Sequence, residues 1–325
     1  MPPAVEAMIF DDALRARLQR IAQLEDGPPA FPPGDDAAAA RLAKAEVLLT
    51  SWGCPPLDAS LLDRAPKLRF VAHAAGSVKS FATPALWARG IRVSSAAAAN
   101  AVPVAEYTLA AILLAGKRAF DVREEYRTER KGLWGHDRPR MGNLGKKVGL
   151  VGASRVGRAL IEMLRPFDIE VAVTDPYLSD AEARELGVAK RELRPLLEES
   201  DVVSLHAPAL ESTHHMIGAA ELSAMGDGTT LVNTARGALV DHDALEKELV
   251  SGRISAVIDT TEPEVLPADS PLYGLPNVFL TPHIAGALGN ETLRMSSLAL
   301  DEIERFHAGE SLQHEVTERD MERVA

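Results

Sequence analysis

Lys147-Val-Gly-Leu-Val-Gly-Ala-Ser-Arg-Val-Gly157 decides the fold. Val148 to Val151 is an apolar run that predicts a buried strand. Gly152 breaks it, and Arg158-Ala-Leu-Ile-Glu-Met-Leu-Arg165 then carries apolar residues at helical spacing. A second strand, Glu170-Val-Ala-Val-Thr174, ends on Asp175. Strand, glycine turn, helix, strand and terminal acid is the order of a dinucleotide-binding βαβ unit. The helix start offers free N–H groups and a positive dipole end to a pyrophosphate, and the acid accepts from ribose hydroxyls. The glycine pattern is G-x-S-x-x-G (Gly152, Ser154, Gly157), so Ser154 brings a Cβ and a hydroxyl to the point where phosphate approaches the backbone. Asp175 favours NAD over NADP, whose 2′-phosphate it would repel.

Downstream the alternation continues. Strands are expected at Val202–His206, Thr230–Asn233, Ser255–Asp259 and Val278–Thr281, with helices such as Arg191–Glu199 and His242–Ser251 between them. That pattern predicts an α/β fold with a doubly wound parallel sheet and right-handed crossovers. Upstream, Glu46–Ser51, Leu68–His73 and Ile91–Ser94 are further strand candidates, with a helix over Leu57–Arg64. Ala7-Met-Ile-Phe10 suggests another strand, followed by a helix from Asp11 to Gln23 that stops at Gly27-Pro-Pro29.

Asn100 to Arg118 is apolar nearly all round, which suits a buried or subunit-contact helix. Glu106 and Pro103 argue against a membrane span. Residues 121–142 are charged and suit an exposed connector anchored by Trp134, and Asn290 to Phe306 is an amphipathic helix able to return to the first domain.

Among 325 residues, 35 are basic and 47 acidic, a net charge of −12, with no basic stretch to hold nucleic acid. No apolar run suggests a membrane protein. The N-terminus lacks the basic and apolar segments of a signal peptide. Cys54 is the single cysteine, so no internal disulfide can form and a cytoplasmic location is expected.

Ligands of open parallel sheets bind beyond the carboxyl ends of the strands. Beyond the successive strands of this chain come, in order, the Gly152 turn, Asp175, His206-Ala-Pro208, Thr234-Ala-Arg236, Asp259 with Glu262 and Glu264, and Pro282-His283. One arginine, carboxylates and one histidine thus fall on the edge that carries the cofactor loop. His214-His215 has no third ligand at useful spacing, so no metal is expected.

The segments Leu205-His-Ala-Pro-Ala-Leu-Glu-Ser-Thr213, Leu231-Val-Asn-Thr-Ala-Arg-Gly237, Ile258-Asp-Thr-Thr-Glu-Pro-Glu264 and Leu280-Thr-Pro-His-Ile-Ala-Gly286 resemble the D-isomer-specific 2-hydroxyacid dehydrogenase family. The likeness runs from about Val47 to the C-terminus. It implies two Rossmann-like α/β domains: a discontinuous substrate domain (1–98 with 288–325) and an NAD domain (99–287). It places the active site in the cleft between them and implies a homodimer. By the same resemblance Arg236 binds substrate, Glu264 is its acidic partner and His283 the acid/base. Hydride attack on a 2-oxo acid calls for such a set: a rigid cationic fork for the carboxylate and carbonyl, and an imidazole that yields a proton near neutral pH. A neighbouring carboxylate favours the protonated form of an imidazole.

For the cofactor, the resemblance implicates Gly152, Ser154, Arg155, Val156 and Gly157 at the pyrophosphate and Asp175 at the adenine ribose. His206, Ala207, Pro208 and Thr213 line the nucleotide, Thr234, Ala235 and Asp259 sit by the nicotinamide, and Arg236, His283 and Gly286 complete the cofactor-binding set. Ala75, Gly76 and Ser77 match the loop whose amides take the substrate carboxylate. Ser154 stands where the family has glycine, and Lys79 where its substrate loop has an acid or amide. The resemblance points to an NAD-dependent reductase of glyoxylate- or hydroxypyruvate-like acids. The alternative is a non-catalytic NAD-sensing corepressor of the same fold, and turnover of NADH with 2-oxo acids discriminates the two. Glu264 disfavours a formate dehydrogenase, which carries glutamine there.

Overall fold

The computed structural model of the chain describes residues 2–25, 36–132 and 141–322. Its strands are β1 (Val47–Thr50), β2 (Phe70–His73), β3 (Arg92–Ser95), β4 (Lys146–Val151), β5 (Ile169–Thr174), β6 (Ala189–Lys190), β7 (Val202–Leu205), β8 (Thr230–Asn233), β9 (Ser255–Ile258), β10 (Val278–Leu280) and β11 (Glu315–Val316). They form two sheets, ordered β1-β2-β3-β11 and β10-β9-β8-β7-β4-β5-β6. Every pairing is parallel except β11 on β3. The chain divides into two compact units, residues 1–100 with 287–325, and residues 101–286.

In the larger unit β4 lies at the centre, with Val148 opposite Val171 on one side and Val202 on the other. The chain winds outward through β5 and β6, then returns to β7 on the far side of β4 and leaves through β8, β9 and β10. The reversal at β4 and β7 is the switch point at which such sheets bind ligands. Helices cover both faces, which is why β7 and β8 are buried at every position and their sequences are mostly apolar rather than alternating. Side chains alternate along the strand: Leu150 enters one core with Ile112, Leu160 and Val232, and Val151 the other with Leu196, Val203 and Leu231.

In the smaller unit Val71 packs with Leu57, Leu62 and Phe81 on one face of β2. Phe70 and Ala72 meet Leu300 and Ile303 of the helix Thr292–Ala308 on the other.

One expectation is corrected. Residues 7–10 are not a strand, because Pro3–Ile9 is a helix. Proline at its first position is preset for helical φ, Ala4, Ala7 and Met8 favour the helix, and Val5 and Ile9 bury one turn apart. Its last carbonyls are satisfied from outside, with Thr292 Oγ1 donating to Met8 at 2.9 Å and Ser296 Oγ to Ile9 at 2.5 Å. Within the exposed connector expected over 121–142, Ala119–Glu129 is a helix with no buried residue. It is held by Phe120 stacked on Phe279 at 4.5 Å and by an Arg127–Glu124 pair one turn apart. Gly27–Pro29, Trp134 and His136 lie outside the described residues.

Ala97–Gly116 is, among the described residues, the one helix long and apolar enough to cross a membrane. It runs across the boundary of the two units, and Ala105, Ala111, Ile112 and Ala115 are buried in the core of the larger one.

Candidate active site

Gly152 turns the chain at the end of β4 with φ +107°, a region L side chains rarely adopt. A Cβ there would lie 2.8 Å from the backbone of His206 and Ala207, so glycine lets this turn pass directly against the chain leaving β7. Gly157 plays the complementary part: a Cβ on it would collide with the Gly152 carbonyl, and its absence seats the helix Arg155–Leu164 on the turn. Leu160, Ile161 and Leu164 bury that helix against the sheet. Ser154 is its N-cap, with Oγ accepting the Gly157 N–H at 3.4 Å. The amides of Arg155 and Val156 have no carbonyl one turn back to receive them, the kind of helix start to which an anion can bind.

Asp175 follows β5. Its carboxylate accepts the Ala153 N–H at 2.7 Å and the Tyr177 N–H at 2.8 Å, which holds the negative charge beside the glycine turn. A close-packed glycine turn, a helix N-terminus and a fixed acid together fit a dinucleotide. His206 is buried, with Nε2 2.9 Å from Ser204 Oγ, and burial pushes its imidazole down to about 4, so it is neutral. Thr213 Oγ1 donates to Pro208 O at 2.6 Å and accepts the Leu210 N–H at 2.9 Å, which shapes the loop after β7.

The ends of β8, β9 and β10 carry the other candidates. Thr108 Oγ1 donates to Val104 O at 2.7 Å, so the buried Thr234 hydroxyl, 2.8 Å away, donates to Thr108. Asn233 accepts the Ala235 N–H and donates to Arg236 O, which folds the turn carrying Arg236. The half-buried Arg236 guanidinium donates to Ala235 O at 2.7 Å. Burial pulls its pKa down from the ordinary arginine value, and the charge of Glu264 opposes that shift.

Glu264 Oε1 is hydrogen-bonded to Nδ1 of His283. His283 has φ +55°, an unusual backbone for a residue with a side chain. Buried Asp259 holds it there. Its carboxylate accepts Thr281 Oγ1–H at 2.6 Å and the Ile284 and Ala285 amides at 2.8 Å each, and its own carbonyl accepts the His283 N–H at 2.8 Å. With the Thr281 proton given to Asp259, the Tyr107 hydroxyl donates to Thr281 at 2.7 Å. Gly286 ends this loop. Sequence reasoning set Asp259 beside the nicotinamide but missed that it organises the whole loop, and missed Tyr107 and Thr108. The available signal was Tyr107-Thr108 next to Glu106 inside a largely apolar helix.

Residues 109–285 match the family model described as the NAD-binding domain of D-isomer specific 2-hydroxyacid dehydrogenases. The chain belongs to that family. This 2-hydroxyacid dehydrogenase is therefore an NAD(P)-binding oxidoreductase whose substrates are of the 2-hydroxy or 2-oxo acid type. It is 36% identical over 268 residues to the glyoxylate reductase of Korarchaeum cryptofilum, covering 81% of this chain and 80% of that one. It is 32% identical over 310 residues to the glyoxylate reductase of Aeropyrum pernix, covering 93% and 91%. A solved phosphoglycerate oxidoreductase from Rhizobium etli superposes with a TM-score of 0.79 at 28% identity, covering 95% and 93%.

In the smaller unit of this dehydrogenase, the loop Ala75–Ser77 follows β2. Ala75 is buried and its carbonyl accepts the Ala96 N–H at 3.0 Å. His73, just before it, places Nδ1 2.9 Å from Thr50 Oγ1, and burial pushes its imidazole down to about 4. The Lys79 amide donates to Ser77 Oγ at 3.3 Å. In the larger unit the fold gives His214 and His215 the third group that their spacing in sequence did not: Glu262, from the loop after β9.

Proposed function

We propose that the chain is an NAD-dependent reductase of a small 2-oxo acid of the glyoxylate or hydroxypyruvate type, also able to oxidise the D-2-hydroxy acid. The observation that carries this reading is the bond from Glu264 to Nδ1 of His283, with Arg236 under the charge of the same carboxylate. Bound NADH supplies the hydride. Arg236 presents its planar fork to the substrate carboxylate and carbonyl oxygen. His283, oriented through Nδ1 by Glu264, keeps Nε2 for the substrate oxygen and gives it a proton as negative charge develops there; in the reverse direction it takes the proton back. The amides of Gly76 and Ser77 are assigned to the substrate carboxylate, and the amides at Arg155 and Val156 to the pyrophosphate.

Asp175 supports NAD over NADP, because its carboxylate is fixed where a 2′-phosphate would bring like charge. The two glyoxylate reductases among the relatives support a small substrate. The proposal includes a cytoplasmic homodimer, supported by the lone cysteine Cys54 and by Leu114 exposed on the apolar helix Ala97–Gly116.

The test is steady-state turnover of NADH and NADPH with 2-oxo acids of increasing size, for the wild type and His283→Ala. The wild type is expected to prefer NADH and the smallest acids, and the variant to lose at least ~10²-fold in kcat. A variant retaining near-wild-type turnover would remove His283 from the reaction.

A further inference from the structure

Outside the groups given to dehydrogenase chemistry, the larger unit gathers two imidazoles and a carboxylate on its surface. His214 and His215 follow the short turn Glu211–Thr213, and their rings stack with centroids 3.8 Å apart. Both present Nε2 to the same atom: Glu262 Oε2 lies 3.5 Å from Nε2 of His214 and 3.1 Å from Nε2 of His215. The three ligand atoms lie within 4.8 Å of one another, and all three residues are exposed.

We propose that His214, His215 and Glu262 form a binding site for one first-row transition-metal dication of the zinc class. A tetrahedral ion with bonds of about 2.0–2.1 Å sets its ligand atoms about 3.3–3.4 Å apart. The observed nitrogen-to-oxygen separations of 3.1 and 3.5 Å bracket that edge. Two imidazoles with one carboxylate suit zinc, nickel or copper rather than magnesium or calcium, which take oxygen ligands. The exposed side leaves coordination positions for water.

The Glu262 backbone is held in place from behind. The His242 Nδ1–H donates to Val240 O at 3.1 Å, and its Nε2 accepts the Glu262 amide at 3.4 Å. His242 thus positions the Glu262 backbone and is not itself a ligand. Glu262 also belongs to the turn carrying Glu264, in which Thr261 Oγ1 donates to the carbonyls of Pro263 and Glu264 at 2.7 and 2.9 Å. An ion held here therefore clamps the loop that follows β9.

The test is titration of the untagged full chain with Co2+ as spectroscopic probe and with Zn2+ by calorimetry and thermal unfolding. One ion per chain is expected, with Co2+ ligand-field bands that Zn2+ abolishes and Mg2+ does not, and a Tm that rises with Zn2+ concentration. His214→Ala and Glu262→Gln should each weaken binding at least ~10-fold while leaving the metal-free circular dichroism and Tm unchanged. His214 is exposed, so its replacement does not threaten folding. Less than one ion per chain, displacement by Mg2+, or unchanged affinity in His214→Ala and Glu262→Gln overturns the site and leaves an ordinary pair of His–Glu hydrogen bonds.

Discussion

The backbone amide of His283 donates to the carbonyl of Asp259 at 2.8 Å, while the Asp259 side chain accepts the next two amides, of Ile284 and Ala285. One buried acid at the end of β9 thereby fixes a histidine whose φ is positive. In Asp259→Asn an N–H group would replace one acceptor oxygen opposite donors that all need acceptors. The variant is expected to lose roughly 2 kcal/mol of stability to an unsatisfied buried donor. It should also lose 10-fold or more in kcat with little change in the KM for NADH, because the histidine is displaced and the glycine turn is not. Denaturant unfolding and steady-state kinetics check the two parts separately.

Arg236→Lys keeps the positive charge but replaces a planar fork with a point charge on a flexible stem. The Asn233 and Ala235 contacts that shape the turn are made by other groups, so the fold should survive. The expected loss is at least ~10²-fold in kcat/KM for the 2-oxo acid, the scale seen when one oxyanion donor is removed. Kinetics against substrate concentration test it, and a loss below threefold would move substrate recognition elsewhere.

The larger sheet was legible because its signals are local. Gly152 must be glycine in a turn with φ +107° that also touches the chain leaving β7, and mostly apolar, fully buried runs such as Val202–Leu205 mark strands covered on both faces. Arg236, Glu264 and His283 could be placed on one edge because each follows a strand of a parallel sheet. What the sequence hid depends on contacts far apart in the chain. Ala7–Phe10 has strand-like residues, yet packing of Val5, Ile9 and Phe10 against the helix Thr292–Ala308 makes Pro3–Ile9 a helix. Asp259 as organiser of the His283 loop, and Glu262 beside His214 and His215, appear only when separate loops meet.

Ser154 tests how much the degraded glycine motif costs. Its Oγ caps the helix Arg155–Leu164 through the Gly157 amide at 3.4 Å, a long bond. Glycine is a fair N-cap, so Ser154→Gly should cost only a few tenths of a kcal/mol in stability. Removing the Cβ gives phosphate a closer approach, so the Kd for NADH should fall or stay the same. Fluorescence titration measures it, and a large rise in Kd would make the hydroxyl a phosphate ligand.

His73 and His206 give the protein a stability that depends on pH, and the sign comes from burial. Each imidazole is pushed down to about 4 by desolvation, against about 6.5 in an unfolded chain. Between those values the unfolded state binds the protons that the folded state refuses. Their contribution is therefore complete above pH 6.5 and is lost as pH falls toward 4. The loss from pH 6.5 to 5 should be on the order of 1–2 kcal/mol for each histidine. Other groups titrate in the same range, so the decisive measurement is a difference: urea unfolding at pH 7 and pH 5 for the wild type and for His206→Gln. Glutamine keeps a polar partner for Ser204 and cannot take a proton there. The variant is expected to be less stable than the wild type at pH 7, with a smaller drop on acidification. Equal drops in the two proteins would mean that His206 accepts a proton in the folded state, which its burial against Ser204 should prevent.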